Sequence, residues 1–179
     1  MLIAGHRPRW IISAGFAGAL NPALARNDLV LPHEVVDLEG HRFPVEQPTT
    51  LSAGFPHTKG RLLTVDRLIL NSDEKQALWR SHDADLVDME SSAVAELCSE
   101  KFVRFLSLRV IGDDAHTKLP KEIATLLSHT GSYRVGAAMR ALWHRPSSLK
   151  DFWTLHERAL EAADRLAKVI ARCLDELPA

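Results

Sequence analysis

The chain has 179 residues, of which 46% are hydrophobic and 25% charged; this suits one domain over residues 1–179 and excludes a disordered or fibrous protein. A formal net charge of −1 leaves no electrostatic footprint for nucleic acid or an anionic membrane, so a small-molecule ligand is expected. Cys98 and Cys173 fall inside helical patterns among alanines and leucines, which argues against a disulfide framework or a zinc site and fits a reducing cytoplasm.

Arg7 and Arg9 ahead of the apolar run Trp10 to Leu20, then Ala23-Leu24-Ala25, imitate a secretory signal. Gly15 and Gly18 break that run, however, and Asn27 to Pro32 continues it as a turn and a strand. No segment approaches the length of a membrane span. Trp10 to Ala14 reads as a buried strand opening into a turn with glycines at 15 and 18, Asp28 to Leu31 as a second strand and Arg61 to Val65 as a third. Glu39 to Pro56 holds three prolines and no helical period, so it reads as a long loop or hairpin. Asn71 and Glu74 have capping-box spacing at the start of a helix ending near Ser81. Ala84 to Val87 is strand-like. Ala93, Val94, Leu97 and Cys98 share a face of a helix running to about Lys101, and Phe102 to Ile111 is the most hydrophobic strand. Short helices are expected between Pro120 and Trp143. After the break at Arg145-Pro146-Ser147-Ser148, a helix over Leu149 to Leu177 carries apolar residues at Phe152, Leu155, Ala159, Ala163, Leu166, Ile170, Cys173 and Leu177. Strands alternating with helices imply an α/β fold with a central mixed sheet flanked by helices.

Two acidic positions stand where strands give way to other structure. Glu90 lies in the segment Asp88-Met89-Glu90-Ser91-Ser92-Ala93, and Asp113 lies in Arg109-Val110-Ile111-Gly112-Asp113-Asp114. Strand ends are where αβ proteins gather ligands. Taken alone, Asp113 and Asp114 also suit a loop cap, and Glu90 suits the first turn of a helix, where the dipole favours an acid. The histidines show no metal-ligand spacing, and Ser91-Ser92 lacks the glycines of a nucleophile elbow.

Together the motifs resemble a known family. GFAGALNPALARNDLVLP is similar to the glycine turn and following strand of the purine nucleoside phosphorylase and methylthioadenosine/S-adenosylhomocysteine nucleosidase superfamily. VDMESSAVAELC resembles its ribose-binding segment, LRVIGDDA its strand ending in the catalytic aspartate, and GRLLTVDRLI the segment lining its base pocket. These blocks occur in the family's order over roughly residues 10 to 125. The later LP and RPSSL segments are similar to a branch that includes hopanoid-associated phosphorylases.

The resemblance implies cleavage of the N-ribosidic bond of a purine nucleoside, through a transition state with positive charge on the ribose and negative charge on the purine. By that resemblance Asp113 is the acid facing purine N7, and Glu90 accepts from the ribose 2′ and 3′ hydroxyls. Met89 packs on the sugar, Ala17 and Gly18 bring backbone close to the substrate, and Leu68 and Ile69 line the base pocket, with Leu68 standing in place of an aromatic residue. Arg109 has an orienting role, and period-two spacing along a strand points it to the same face as Asp113. Gly112 replaces a serine usual in the nucleosidases. The family's additional N-terminal region, with its first strands, nucleophile-site loop and water-activating glutamate, is expected to be missing. No cofactor is implied beyond phosphate as co-substrate of a phosphorylase. The readings left open are a nucleosidase, a phosphorylase acting on an adenosyl lipid, and a truncated homologue that binds nucleoside without turnover. A homodimer or larger homo-oligomer is implied, with Glu39 to Pro56 as the loop offered to a neighbouring site.

Overall fold

The computed structural model describes residues 2–47, 56–118 and 163–177. In chain order these form α1 (Leu2–His6), β1 (Trp10–Ala19), β2 (Leu29–Val36), β3 (Arg42–Pro44), β4 (Thr58–Thr64), α2 (Ser72–His82), β5 (Leu86–Asp88), α3 (Ser91–Glu100) and β6 (Arg104–Asp113). A helix over residues 163–176, here α4, follows. The short helices expected between Pro120 and Trp143, and the first half of the closing helix, lie outside the described residues.

The strands make one mixed sheet in the order β3-β2-β4-β5-β1-β6. Pairs β1/β6, β2/β4 and β4/β5 are parallel, whereas β1/β5 and β2/β3 are antiparallel. The sheet also closes on itself. β2 divides one of its edges: Leu29 and Val30 pair with Val110 and Arg109 of β6, and Glu34 to Val36 pair with β3. This is the expected mixed α/β architecture with its sheet curled into a ring.

Burial on both faces explains why the strands read as near-continuous apolar runs rather than alternating ones. Along β6, Phe105 and Ile111 pack with Ala95 and Cys98 of α3, while Leu106, Leu108 and Val110 pack with Leu166, Val169 and Cys173 of α4. Val36, Leu63 and Val87 meet Leu78 and Trp79 of α2. Each fully buried aliphatic side chain in these clusters contributes roughly 1.5–3 kcal/mol.

Several boundaries differ from expectation for identifiable reasons. β1 runs straight through Gly15 and Gly18 to Ala19, because β6 pairs with it residue for residue from Trp10 to Ala17. Phe102 does not start the strand: it adopts φ +54 and is 97% exposed, in the turn that ends α3. The inward stripe of α3 is Ser91, Ala95 and Cys98 with Val94 partly buried, and Ala93 is exposed. Ser91 turns inward because its hydroxyl accepts from Arg109. On α4, Val169 joins the expected Leu166 and Cys173 inside, and Ala163 is exposed. Asn71 caps α2 by accepting from the Glu74 amide at 2.8 Å. Among the described residues no helix is long and apolar enough to cross a membrane.

Candidate active site

The ends of β1, β5 and β6 meet at Gly18, which is in register with Val87 of β5 on one side and Asp113 of β6 on the other. A Cβ built there would lie 3.3 and 3.4 Å from the Asp113 carboxylate oxygens and 3.4 Å from a Val87 methyl group. An alanine at position 18 would therefore press on both the Asp113 carboxylate and Val87. Beside it opens a cavity of about 230 Å³, whose wall includes Ala17, Gly18, Leu68, Ile69, Met89, Glu90 and Asp113. Seven of the eight site residues expected from sequence thus come together, drawn from four separate chain segments.

The two neighbouring acids at the end of β6 part company. Asp114 caps the loop: its carboxylate accepts from the His116 amide at 3.0 Å and the Thr117 hydroxyl at 2.8 Å. Burial opposes its ionisation, but the Thr117 hydroxyl, the His116 and Thr117 amides and the Arg26 charge outweigh it and hold the carboxyl below the usual range. Asp113 instead lines the cavity and accepts from the Lys75 ammonium, which also donates to the Asp114 carbonyl at 2.7 Å. Gly112 leaves room, since an added Cβ would meet nothing closer than 3.9 Å.

Glu90 stands at the N-cap of α3 without a capping bond, so its exposed carboxylate is not consumed by the helix end. Its local contact is the Met89 amide at 3.3 Å. Met89 is 42% exposed and Phe16 48% exposed, and both line the cavity.

Arg109 is the exception. It does not line the cavity: its side chain is 3% exposed and faces Asp88, Ser13 and Ser91. The expectation that it shares a face with Asp113 fails because the β1/β6 register shifts between Ala17 and Gly18, which pair with Ile111 and Asp113. The extra residue, Gly112, breaks the two-residue alternation. Arg109 donates to Asp88 Oδ2 through Nε at 3.1 Å and through its terminal nitrogen at 2.9 Å. The other oxygen of Asp88 accepts from the Thr64 hydroxyl at 2.9 Å and the Ser91 amide at 3.3 Å. Thr64 in turn accepts from the Ser92 amide at 2.9 Å. This buried network ties β4, β5, β6 and the first turn of α3 together directly behind Met89 and Glu90.

Lys75 was not anticipated from the motifs, although its signal is present. Lys75, Leu78, Trp79 and His82 follow the i, i+3, i+4, i+7 spacing of an inward stripe, and a lysine on such a stripe needs a buried partner. Phe16, Val65, Arg67, Val87, Asp88 and Gly112 complete the cavity wall. Away from it, Asp37, Glu39 and His41 bring potential ligand atoms within 4.8 Å of one another on the β2–β3 turn, but two of the three are exposed and Asp37 already bonds the His41 ring at 2.7 Å.

The model of the Phosphorylase superfamily matches residues 1–57 and 45–175. The chain belongs to that superfamily. The 5′-methylthioadenosine/S-adenosylhomocysteine nucleosidase of Baumannia cicadellinicola subsp. Homalodisca coagulata is 28% identical over 72% of this chain and 69% of its own length. The enzyme of the same name from Staphylococcus haemolyticus is 26% identical, and the alignment spans 66% of this chain and 62% of that one. Among solved structures, Helicobacter pylori 5′-methylthioadenosine/S-adenosylhomocysteine nucleosidase with butyl-thio-DADMe-Immucillin-A superposes with a TM-score of 0.69 at 19% identity, covering 98% of this chain and 72% of that one. Futalosine hydrolase of the same organism gives 0.68 at 19% identity with the same coverage. The phosphorylase-superfamily fold expected from the motifs is thus the fold found.

Proposed function

We propose that the protein cleaves the N-ribosidic bond of a purine nucleoside, as the 5′-methylthioadenosine/S-adenosylhomocysteine nucleosidases do. The observation that carries this reading is the convergence of Asp113 and Glu90 on one cavity that also takes in Met89, Gly18, Leu68 and Ile69. Breaking the bond places positive charge on the sugar and negative charge on the base, so the two ends need different chemistry. Glu90, exposed and free of capping duty, offers two acceptor oxygens to the neighbouring ribose hydroxyls and a negative charge to the developing cation. Asp113 delivers a proton toward N7 of the departing base. Leu68 and Ile69 give the base an apolar slot. Arg109 acts from behind, holding Asp88 and so the segment that carries Met89 and Glu90. The exposed Phe16 and Met89 side chains at the cavity suit a homodimer in which a neighbouring copy covers that rim, and sedimentation as a monomer would remove this part of the reading.

The test follows free purine release from methylthioadenosine, adenosylhomocysteine, adenosine and inosine, with and without phosphate. Release without phosphate identifies water as the nucleophile, and release only with phosphate identifies phosphorolysis. Asp113→Asn should abolish turnover while nucleoside binding persists, and Glu90→Gln should weaken ribose binding. Unchanged activity in both variants sinks the assignment. Calorimetric binding without release would mark a nucleoside-binding homologue.

A further inference from the structure

The Lys75 side chain is 1% exposed, the largest fully buried one among the described residues, yet it forms part of the cavity wall. Burying an ammonium is costly, and an apolar residue on the inward stripe of α2 would satisfy packing beside Leu78 and Trp79 without it. Its ammonium is spent on the end of β6: one bond goes to Asp113 Oδ2 and one to the Asp114 carbonyl. Among the described residues, Lys75 is the one side chain that donates to the Asp113 carboxylate. Here the proposed reaction meets a conflict. A carboxylate paired with an ammonium has no proton of its own to give, while the departing purine must receive one.

We infer that Lys75 is the proton-supplying residue for the leaving base, acting through Asp113. This rests on the reading of the cavity as a nucleoside-cleaving site. As the bond between C1′ and N9 breaks, its electron pair moves onto the purine. N7 takes a proton from one oxygen of Asp113, while Asp113 Oδ2 takes one from Lys75 Nζ. Lys75 is left as a neutral amine and Asp113 again as a carboxylate. The attacking water or hydrogen phosphate gives up one proton as it joins C1′, and that proton, through solvent, restores the ammonium. Charge and protons therefore balance over a turnover, and no co-reactant is needed beyond the nucleophile. The arrangement also keeps a positive charge next to the negative charge growing on the base. The other charged side chains of the same wall are Arg67, which is engaged by Glu74, Asp88, which is engaged by Arg109, and Glu90.

Two kinds of variant separate proton supply from charge and from packing. Arginine keeps the charge but does not release a proton in a protein, and methionine keeps the length without the charge. The probe is the nucleoside that wild type cleaves fastest, compared with its N7-methyl derivative, whose base already carries positive charge and leaves neutral without protonation. Lys75→Arg and Lys75→Met should each lose about 10²- to 10⁴-fold in kcat on the ordinary nucleoside, the usual contribution of a positioned acid, with KM little changed. On the N7-methyl nucleoside both should stay within about tenfold of wild type, and Asp113→Asn should show the same rescue. Circular dichroism confirms the fold of each variant. Wild-type activity of Lys75→Arg on the ordinary nucleoside overturns the inference by itself, because charge would then suffice. Equal losses on the two substrates also overturn it, leaving Lys75 a packing role. If wild type cleaves neither nucleoside, the underlying function is wrong as well, which is a different result from an active enzyme indifferent to position 75.

Discussion

Replacing Arg109 by methionine tests whether the buried network behind the cavity is organised by charge. The substitution keeps a flexible chain of similar reach and deletes six hydrogen bonds: two to Asp88 Oδ2, two to Ser13, one to Ser91 and one to the Leu108 carbonyl. Asp88 keeps the Thr64 and Ser91 donors on its other oxygen but loses both donors to Oδ2, with its side chain 2% exposed. Stranding one member of a buried pair costs about 3–5 kcal/mol. For a chain of this size that corresponds to a fall in Tm of roughly 6–20 °C, a large share of the 5–15 kcal/mol typical of a whole domain. The assay is urea unfolding at neutral pH for Arg109→Met, Asp88→Asn and the double variant. Asparagine removes the charge and keeps an acceptor for Thr64 and Ser91, so the double variant should be more stable than Arg109→Met alone. A loss below about 1 kcal/mol for the single variant, or strictly additive losses in the double, would refute the reasoning.

Three further outcomes are expected. Gly18→Ala should push the Asp113 carboxylate aside and lower kcat about 10- to 100-fold, because the new methyl group would sit 3.3 Å from one of its oxygens; wild-type kcat would show that this wall can yield. Both thiols should react slowly with Ellman's reagent in the folded protein and rapidly in urea, since burial raises Cys98 and, with help from Glu176, pushes Cys173 up to about 11. His41 should titrate by NMR above its ordinary value, because the Asp37 side chain bonds its ring and adds its charge, and Asp37→Asn should return it to normal. For Asp37 burial works against ionisation, but the bonds from His41 prevail and lower its pKa. The His41 contribution to stability is therefore complete below the unfolded histidine value and lost as pH rises through the raised one. The Asp37 contribution is complete above the unfolded carboxyl value and lost as pH falls through the lowered one. An unshifted His41 titration would show that the contact is not formed in solution.

Much of the candidate site lies in contiguous motifs, and seven of its eight expected residues line one cavity. Taken alone, VDMESS and VIGDD suit a helix start and a loop cap, and it is their resemblance to the superfamily's segments, each contiguous in sequence, that marks Glu90 and Asp113 without knowledge of which strands are neighbours. What escaped depended on pairing. The role of Arg109 turns on the slip that sets Gly112 out of register with β1, and nothing in a period of two announces that slip. Lys75 was hidden differently: it lies in a helix with many polar residues, and its partner is 38 residues away. Ring closure was illegible for the same reason, since the β2–β6 pairing joins residues 29–30 to 109–110. The α3 stripe was misread by its first turn because Ser91, a polar residue, faces inward to meet Arg109. Local period and capping chemistry are written in adjacent residues, whereas buried charges announce a partner without naming it.

The ring closure described above also bears on what the protein does in a crowded solution. A curled sheet whose strands satisfy one another offers little backbone for a foreign chain to zip onto. Among the described residues, the strand left outside the ring is β3, which pairs with β2. It is three residues long, begins with an arginine and ends with a proline. A short strand with a charge at one end and a missing N–H at the other is a poor template for intermolecular β-pairing. Beyond it, the Glu46 amide crosses to the Phe105 carbonyl at 2.8 Å, shielding the start of β6 as well. The fold thus defends itself against edge-to-edge aggregation at the place where its own geometry left an opening.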